Sequence, residues 1–195
     1  MKKIFVIVCN AKKENRKAPY VEAYIEQAQN AGNEVRTINV YDLKIDYLDL
    51  GDRSDLEYDL SLTGELKQAQ ENFIWADQIV FAYPIWHLNI PAKLKSFMER
   101  IFQPGVIFRF GRLGPEPIHK GKTAVIMQSY FMPDFVMKYC LGDLPFKIIK
   151  TILSKWCGFK IVKRFDFDNI ANVSEAKKQK MVEGSQNVCL KDRII

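Results

Sequence analysis

Short apolar runs alternate along the chain with stretches in which apolar residues recur every three or four positions. The runs have the composition of strands and lie at residues 3–8, 34–40, 78–82, 122–127 and 160–165. The stretches of helical period lie at residues 20–28, 63–76, 91–102, 145–156 and 174–190. Strands that alternate with helices at crossover lengths predict a doubly wound parallel sheet with helices on both faces, a three-layer α/β fold.

Three stretches have no clear period. Residues 41–62 are rich in Asp, Leu and Tyr, and we interpret them as a long surface excursion that covers either the crevice of the sheet or a partner subunit. Residues 103–119 are punctuated by Gly and Pro and are expected to be irregular. Residues 131–144 favour no single element. No linker or repeat divides the 195 residues, so we expect a single domain, 1–195.

The formal net charge of +6 raises the question of a nucleic-acid partner. The basic side chains gather in the loop after the first strand, at Lys12, Lys13, Arg16 and Lys17, and again in the last predicted helix. No helix-turn-helix or other recognition module accompanies them. The expected partner is therefore a small molecule that carries a phosphate, and no nucleic acid is expected.

Cysteine and histidine are too scattered to build a metal site. The four cysteines include no C-x-x-C pair, which argues against structural zinc and against a disulfide framework, and the chain has two histidines. No apolar run approaches the ~20 residues that a membrane helix needs. The first run is also too short for a secretory segment. We expect reduced thiols, no metal, no membrane insertion and a cytoplasmic location.

The most informative stretch joins the third strand to the helix that follows it. Pro84 is expected to stop the pairing of the strand, and Pro91 suits the first turn of a helix. Between the two prolines the loop is rich in large apolar side chains and has one ionisable residue, His87, which is unusual for a loop in water. We interpret the loop as the resting place of a flat apolar ligand. The alternative is that Trp86 and Leu88 pack against a neighbouring loop or subunit.

The residues of this stretch resemble a family signature. Residues 83–95 read YPIWHLNIPAKLK, and PGVIFRF at 104–110, GPE at 114–116 and KGKTAVI at 120–126 follow in order. The series resembles the flavodoxin-like NAD(P)H:quinone oxidoreductases and azoreductases. The resemblance implies a flavodoxin-like sheet of five strands in the order 2-1-3-4-5. In that order the switch point, where ligands bind, lies between the first and third strands.

The resemblance also implies an activity. Members of the family hold FMN, or alternatively FAD, and pass two electrons from NADH or NADPH to quinones or to azo and nitro compounds by ping-pong hydride transfer. They are typically homodimers with the active site at the subunit boundary, for which residues 106–110 and 41–62 are the candidate contacts. The chain is therefore expected to be an oxidoreductase with a small-molecule electron acceptor.

Three loops at the switch point supply the expected cofactor-binding residues. By resemblance, the loop after the third strand cradles the flavin ring with Pro84, Ile85, Trp86, His87 and Leu88. The loop after the first strand offers Asn10, Lys12, Asn15 and Lys17 to the flavin phosphate, beside a helix N-terminus that favours an anion. Ser129 and Tyr130 follow the fourth strand. Trp86 and His87 are candidates for the substrate face, and no residue is assigned a catalytic role.

The loop after the fourth strand departs from the family pattern. Members usually carry Ser or Thr followed by an X-Gly-Gly or Gly-Gly turn, whereas here Ser129 is followed by Tyr130, Phe131 and Met132. The departure motivates a second hypothesis, a flavodoxin-like binding or regulatory subunit with little or no turnover. A third hypothesis, an electron-carrier flavodoxin, is disfavoured because such carriers are usually acidic and this chain is basic.

No catalytic constellation is evident elsewhere. Asp166 and Asp168 flank Phe167 at the end of the last strand, where we expect ordinary surface residues. The glycines at 111 and 114 lack the strand-to-helix context of a dinucleotide-binding fingerprint.

Overall fold

A parallel sheet of five strands lies at the centre of the computed structural model. The structure describes residues 1–11, 18–46 and 62–168, together with Glu183. The strands of the sheet are β1 (Lys3–Val8), β2 (Glu34–Asn39), β3 (Gln78–Pro84), β6 (Thr123–Ser129) and β7 (Lys160–Phe167), in the spatial order β2-β1-β3-β6-β7. Between β3 and β6 in sequence, β4 (Phe108–Gly111) and β5 (Gly114–Pro117) pair with each other as an antiparallel hairpin.

The helices of the described residues connect these strands. They are α1 (Pro19–Asn30), α2 (Gly64–Trp75), α3 (Ala92–Ile101) and α4 (Leu144–Thr151). A 3₁₀ turn, Val40–Asp42, follows β2, and π-helical turns lie before α4 at Val136–Cys140 and directly after it at Ile152–Trp156.

Each face of the sheet carries its own hydrophobic cluster, because successive side chains of a strand point to opposite faces. Phe5 and Ile7 of β1 belong to the cluster that α2, α3 and α4 cover. Ile4, Val6 and Val8 belong to the cluster that α1 covers. The helix after β1 and the helix after β3 therefore lie on opposite faces of the sheet.

The strand order confirms the predicted flavodoxin-like sheet, once the separate hairpin is set aside. β1 and β3 run side by side, with Ile4 opposite Gln78 and Val8 opposite Ala82. Since the connections leave these two strands toward opposite faces, a crevice opens between their carboxyl ends.

The prediction that Pro84 stops the pairing of its strand is wrong. Pro84 lies opposite Ser129 in the register of β3 and β6, and the Ile85 N–H donates to the Ser129 carbonyl at 2.7 Å. A proline ring removes only its own N–H. The ladder at this point uses the N–H of the next residue, so the pairing continues.

Two further expectations change in the structure. The segment predicted to be irregular, 103–119, contains the β4–β5 hairpin, whose prolines at 115 and 117 are tolerated because each strand of a two-stranded ribbon has a free edge. Thr63 does precede α2, as predicted, but its side chain makes no capping hydrogen bond. Apart from Glu183, the predicted last helix lies outside the described residues, as does most of the 41–62 excursion.

Within the part of the chain that the structure describes, no helix combines the length and the apolar character that a membrane crossing requires.

Replacing Gly158 by Ala is expected to lower the free energy of unfolding more than replacing Gly105 by Ala. Both glycines have left-handed backbone, with φ of 77° and 80°, so each substitution adds about 1–2 kcal/mol of strain. A Cβ at Gly158 also lies 2.6 Å from the Cβ of Pro117 and 2.7 Å from the carbonyl oxygen of His119, whereas one at Gly105 meets nothing within 4 Å. Urea denaturation of both variants measures the extra loss, which we expect to be about 1–3 kcal/mol. Equal losses would contradict close packing of the hairpin against Gly158.

Candidate functional site

The carboxyl ends of β1, β3 and β6 surround a cleft of about 380 Å³. The cleft lies at the point where the strand order reverses, between β1 and β3. Its lining comes from the ends of the three strands, from the first turn of α1 and from the loop after β3, and is largely apolar and aromatic. Such a lining suits a flat ligand with one polar edge.

Cys9 lies in the lining where β1 ends. Its N–H donates to the carbonyl oxygen of Ala82 at 2.8 Å, which extends the contact between β1 and β3 into the cleft. Burial raises the pKa of the Cys9 thiol to about 12, against a smaller opposing effect of Lys93. At neutral pH this cysteine is a protonated, unreactive thiol.

The backbone of Asn10 is held by the side chain of Asn39 at the end of β2. Asn39 Nδ2 donates to the Asn10 carbonyl at 3.2 Å, and Asn39 Oδ1 lies 3.4 Å from the Asn10 nitrogen. The same Oδ1 accepts the Tyr41 N–H at 3.1 Å. The edge strand thus positions one wall of the cleft through a single amide side chain, which the strand pattern of the sequence did not distinguish from its neighbours.

The loop between β3 and α3 is a tight turn that contains two strained residues. Trp86 and Asn89 exchange backbone hydrogen bonds of 3.0 and 2.9 Å. His87 and Leu88 between them have φ of 48° and 57°, the left-handed backbone that a type I′ turn requires. Glycine and asparagine usually occupy such positions, and each L side chain there costs about 1–2 kcal/mol. Backbone strain of this kind concentrates at ligand-binding loops.

Trp86 faces the cleft and also contacts the neighbouring residue Tyr41. Its side chain is 40% exposed, it contributes to the lining, and its ring meets the Tyr41 ring edge-on at 6.2 Å between centroids. Lys93 donates to the Tyr41 carbonyl at 3.0 Å, which fixes that neighbour. Trp86 therefore packs against an adjacent segment and also faces the cleft, and the ligand-binding role of the loop stays a prediction.

The third wall is formed by Ser129, Tyr130 and Phe131. Tyr130 is buried, and its N–H donates to the Phe167 carbonyl at 3.1 Å, so this amide is already engaged. Phe131 is 67% exposed at the edge of the cleft. Burial, followed by the hydrogen bond to Asp134, raises the pKa of the Tyr130 phenol far above its ordinary range.

Tyr20 is a lining residue that the sequence did not single out. Its ring stacks on Phe167 at 3.8 Å between centroids. Burial raises the pKa of its phenol, and a hydrogen bond with the Ser129 side chain opposes the rise. The residue follows the helical spacing of α1, so its pattern indicated core packing alone.

The first turn of α1 offers an anion fewer donors than the sequence suggested. Pro19 has no N–H, and the N–H groups of Val21 and Glu22 both bond to the Ala18 carbonyl, at 2.8 and 3.2 Å. Ala18 supplies no side-chain cap, and Glu22 brings a negative charge into the turn. The helix dipole still favours an anion, but the free backbone donors in this turn are few.

The structure brings together part of the predicted site. The predicted residues that line the cleft are Asn10, Pro84, Trp86, Ser129 and Tyr130. Ile85 is buried in the hydrophobic cluster, Leu88 packs against that cluster, and His87 is exposed outside the lining. Lys12, Asn15 and Lys17 lie outside the described residues. The role of each as a cofactor ligand stays a prediction.

The expectation that Asp166 is an ordinary surface residue is wrong. Its side chain is 11% exposed. It accepts from Gln128 Nε2 at 2.7 Å, and its carboxylate lies 2.8 Å from Arg164 Nε and 3.0 Å from Lys138 Nζ. The sequence did not distinguish Asp166 from an exposed aspartate at the end of a strand, because its partners Gln128 and Lys138 lie far from it in the chain. Asp168 is half-buried.

No group of three or more His, Cys, Asp or Glu side chains within the described ranges is arranged to hold a metal ion.

Replacing His87 by Gly is expected to raise the free energy of unfolding by about 0.5–1 kcal/mol, because glycine adopts left-handed backbone without strain. Lys120→Gly is the matched control, since Lys120 is an exposed loop residue outside the left-handed region. There glycine only adds freedom to the unfolded chain, so the control is expected to lose stability. Thermal and urea denaturation measure both, and a loss for His87→Gly equal to the control would contradict strain in the turn.

Comparison with known proteins identifies relatives with this architecture. A family model described as a flavodoxin-like fold matches residues 2–189. The FMN-dependent NADH:quinone oxidoreductase of Clostridium perfringens strain SM101 is 27% identical over 191 residues, which cover 94% of this chain and 94% of the relative.

Solved structures show the same fold. The FMN-dependent NADH-azoreductase from Bacillus anthracis, solved in complex with FMN, superposes with a TM-score of 0.77 at 16% identity over 98% of this chain and 99% of the other. A protein from Streptococcus mutans UA159 superposes with a TM-score of 0.74 at 22% identity over 95% and 97%. Since the family model spans nearly all of the sequence and the sheet has the expected order, the chain belongs to the flavodoxin-like fold family.

Proposed function

We propose that this protein is an FMN-dependent NADH oxidoreductase that delivers two electrons to quinones or to azo compounds. The observation that carries the proposal is the apolar and aromatic cleft at the switch point of the sheet, flanked by Trp86 and Phe131. The names of the relatives support the choice of FMN, NADH and quinone. The Bacillus anthracis structure with FMN supports the same cofactor and an azo acceptor.

The residues of the cleft fit a flavin ring. Pro84 and Trp86 contribute an apolar part of the lining, and Tyr130 and Phe131 add aromatic residues where β6 ends. Ser129 and Asn10 bring polar groups to the same cavity. The volume of about 380 Å³ is within the range of small-molecule sites.

The phosphate end of FMN is assigned to the junction of β1 and α1. Asn10 and Ala11 leave β1 there, and Ala18 precedes α1. Because the first turn of α1 has few free donors, we propose that the basic side chains of the connecting loop, Lys12 and Lys17 among them, carry most of the phosphate binding.

Bound FMN supplies the capacity to accept and return a hydride equivalent. The contribution of the chain is to bind the ring, to orient it and to keep water from one of its faces. The pKa of Cys9 and of Tyr130 is raised, so neither side chain carries a charge at neutral pH that would disturb the ring. We propose that NADH and the acceptor use the exposed side between Trp86 and Phe131 in turn, which is the ping-pong order.

FAD is the alternative cofactor, NADPH the alternative electron donor and a nitro compound the alternative acceptor.

We also propose that the chain folds as a single domain, is located in the cytoplasm and forms a homodimer. The dimer is supported by large apolar side chains at the hairpin, where Phe110 is 58% exposed and Leu113 is 99% exposed. Exposed apolar groups of this size mark contact surfaces.

A binding or regulatory subunit with little or no turnover is the second candidate. One observation favours it: the Tyr130 N–H is bonded to Phe167, in the place where a glycine turn would leave the backbone free to approach a flavin. Steady-state turnover distinguishes the two candidates.

The absorbance spectrum of natively purified protein tests the proposed function. We expect a bound flavin band, or binding of added FMN at micromolar concentration, followed by bleaching with anaerobic NADH and recovery with a quinone. FAD and NADPH are measured in parallel to decide the alternatives. A protein that binds neither flavin contradicts the proposal, and one that binds FMN without turnover supports the regulatory candidate.

Replacing Trp86 by Ala is expected to weaken FMN binding about tenfold, because it removes an aromatic wall of the cleft. Trp156→Ala is the matched control: its side chain is also 40% exposed, but it packs against Phe108 instead of lining the cleft. Quenching of FMN fluorescence measures both affinities. Equal weakening in the two variants would contradict a role for Trp86 in the site.

A further inference from the structure

We infer that a circuit of six hydrogen-bonded side chains positions the third wall of the cleft, in the place where this chain lacks a glycine turn. The six are Tyr83, Gln128, Asp166, Lys138, Asp134 and Tyr130. The hydrogen bonds of the circuit are part of the folded chain itself. The role of the circuit in flavin binding rests on the proposed function.

The circuit begins at one lining residue on the sheet. The phenol of Tyr83, on β3, donates to Gln128 Oε1 on β6 at 3.3 Å. Gln128 Nε2 then donates to Asp166 Oδ1 on β7 at 2.7 Å. Three neighbouring strands are thereby linked by side chains just below the cleft, in addition to their backbone ladders.

The circuit then crosses from the sheet to the segment after β6 and ends at a second lining residue. Lys138, in the π-helical turn, lies 3.0 Å from Asp166 Oδ2 and 2.8 Å from Asp134 Oδ2. The phenol of Tyr130 donates to Asp134 Oδ1. Both ends of the circuit, Tyr83 and Tyr130, therefore line the same cleft.

The segment from 130 to 143 needs such ties because it packs little apolar surface. Phe131, Phe135 and Tyr139 are 67%, 61% and 83% exposed, and the buried side chains of the segment are Tyr130 and Met137. The far end of the segment is held by Arg164, whose guanidinium pairs with both oxygens of Asp143. Hydrogen bonds and ion pairs at both ends of the segment thus compensate for its small hydrophobic contact with the rest of the fold.

The geometry of the ties makes Lys138 the central positioning residue. It is the link between the Asp134–Tyr130 pair and the strand residue Asp166. Asp166 is shielded, with 11% of its side chain exposed, so its pairing is less screened by water than a surface ion pair. Removing the Lys138 ammonium takes the paired cation from Asp134, whereas Asp166 keeps Arg164. The Tyr130 phenol is then bonded to a carboxylate that is no longer tied to the sheet.

The experiment compares Lys138→Met and Tyr130→Phe with two matched controls, Lys147→Met on the exposed face of α4 and Tyr139→Phe in the same π-helical turn. Lys138→Arg serves as the conservative rescue, because a guanidinium can bridge both carboxylates. Tyr130→Phe removes one hydroxyl, so it reports on the circuit even where Lys138→Met folds poorly.

Amide hydrogen exchange, measured without added flavin, tests the circuit by itself. We expect exchange in residues 130–140 to rise at least fivefold in Lys138→Met, to return toward the original rate in Lys138→Arg, and to stay unchanged in α3 and in both controls. Unchanged exchange in residues 130–140 overturns the circuit. This reading holds whether or not the protein binds FMN.

FMN affinity tests what the circuit does for the cleft. We expect the dissociation constant to rise about tenfold in Lys138→Met and Tyr130→Phe, to be restored by Lys138→Arg, and to be unaffected in the controls. Faster exchange with unaltered FMN affinity overturns the positioning role. If the original protein binds no FMN, the proposed function and the service of the circuit to a flavin both fail, and the exchange result alone decides the circuit.

Discussion

The cleft depends on the opposite directions in which the chain leaves β1 and β3. A parallel strand must be followed by a crossover, and right-handed crossovers on the two faces of the sheet carry α1 to one side and α3 to the other. The carboxyl ends of the two strands are then left uncovered by either connection. The Cys9 N–H bonds to the Ala82 carbonyl at 2.8 Å and holds these two ends together as the floor of the site.

The three walls above that floor are stabilised by different means. The loop after β1 is held at Asn10 by the amide of Asn39, an uncharged hydrogen bond from the neighbouring strand β2. The loop after β3 is held by a two-residue turn in left-handed backbone, where local strain is balanced by the hydrogen bonds of Trp86 and Asn89. The wall after β6 relies on charged side chains of its own segment, Asp134 and Lys138, and on Asp166 of the neighbouring strand β7.

The side chains that form and support these walls determine which chemistry the cleft can carry out. Among the described residues, the ionisable side chains that line the cavity are Cys9, Tyr20, Tyr83 and Tyr130. Their pKa values are raised, so none of the four is a charged nucleophile at neutral pH. The charges that stabilise the third wall lie behind the tyrosines. A site of this kind suits chemistry that a bound cofactor carries out and the protein positions.

Sequence alone determined the alternation of strands and helices, the sheet order through the resemblance, and the loop at Pro84 and Trp86, because these follow from local periodicity and from contiguous motifs. Only the tertiary structure decided that Tyr20 lines the cleft and that Ile85 and His87 do not. It also decided that Asp166 is shielded and paired. The physical reason is that burial and ion pairing join residues far apart in the chain, whereas periodicity reports only which side of its own element a residue occupies.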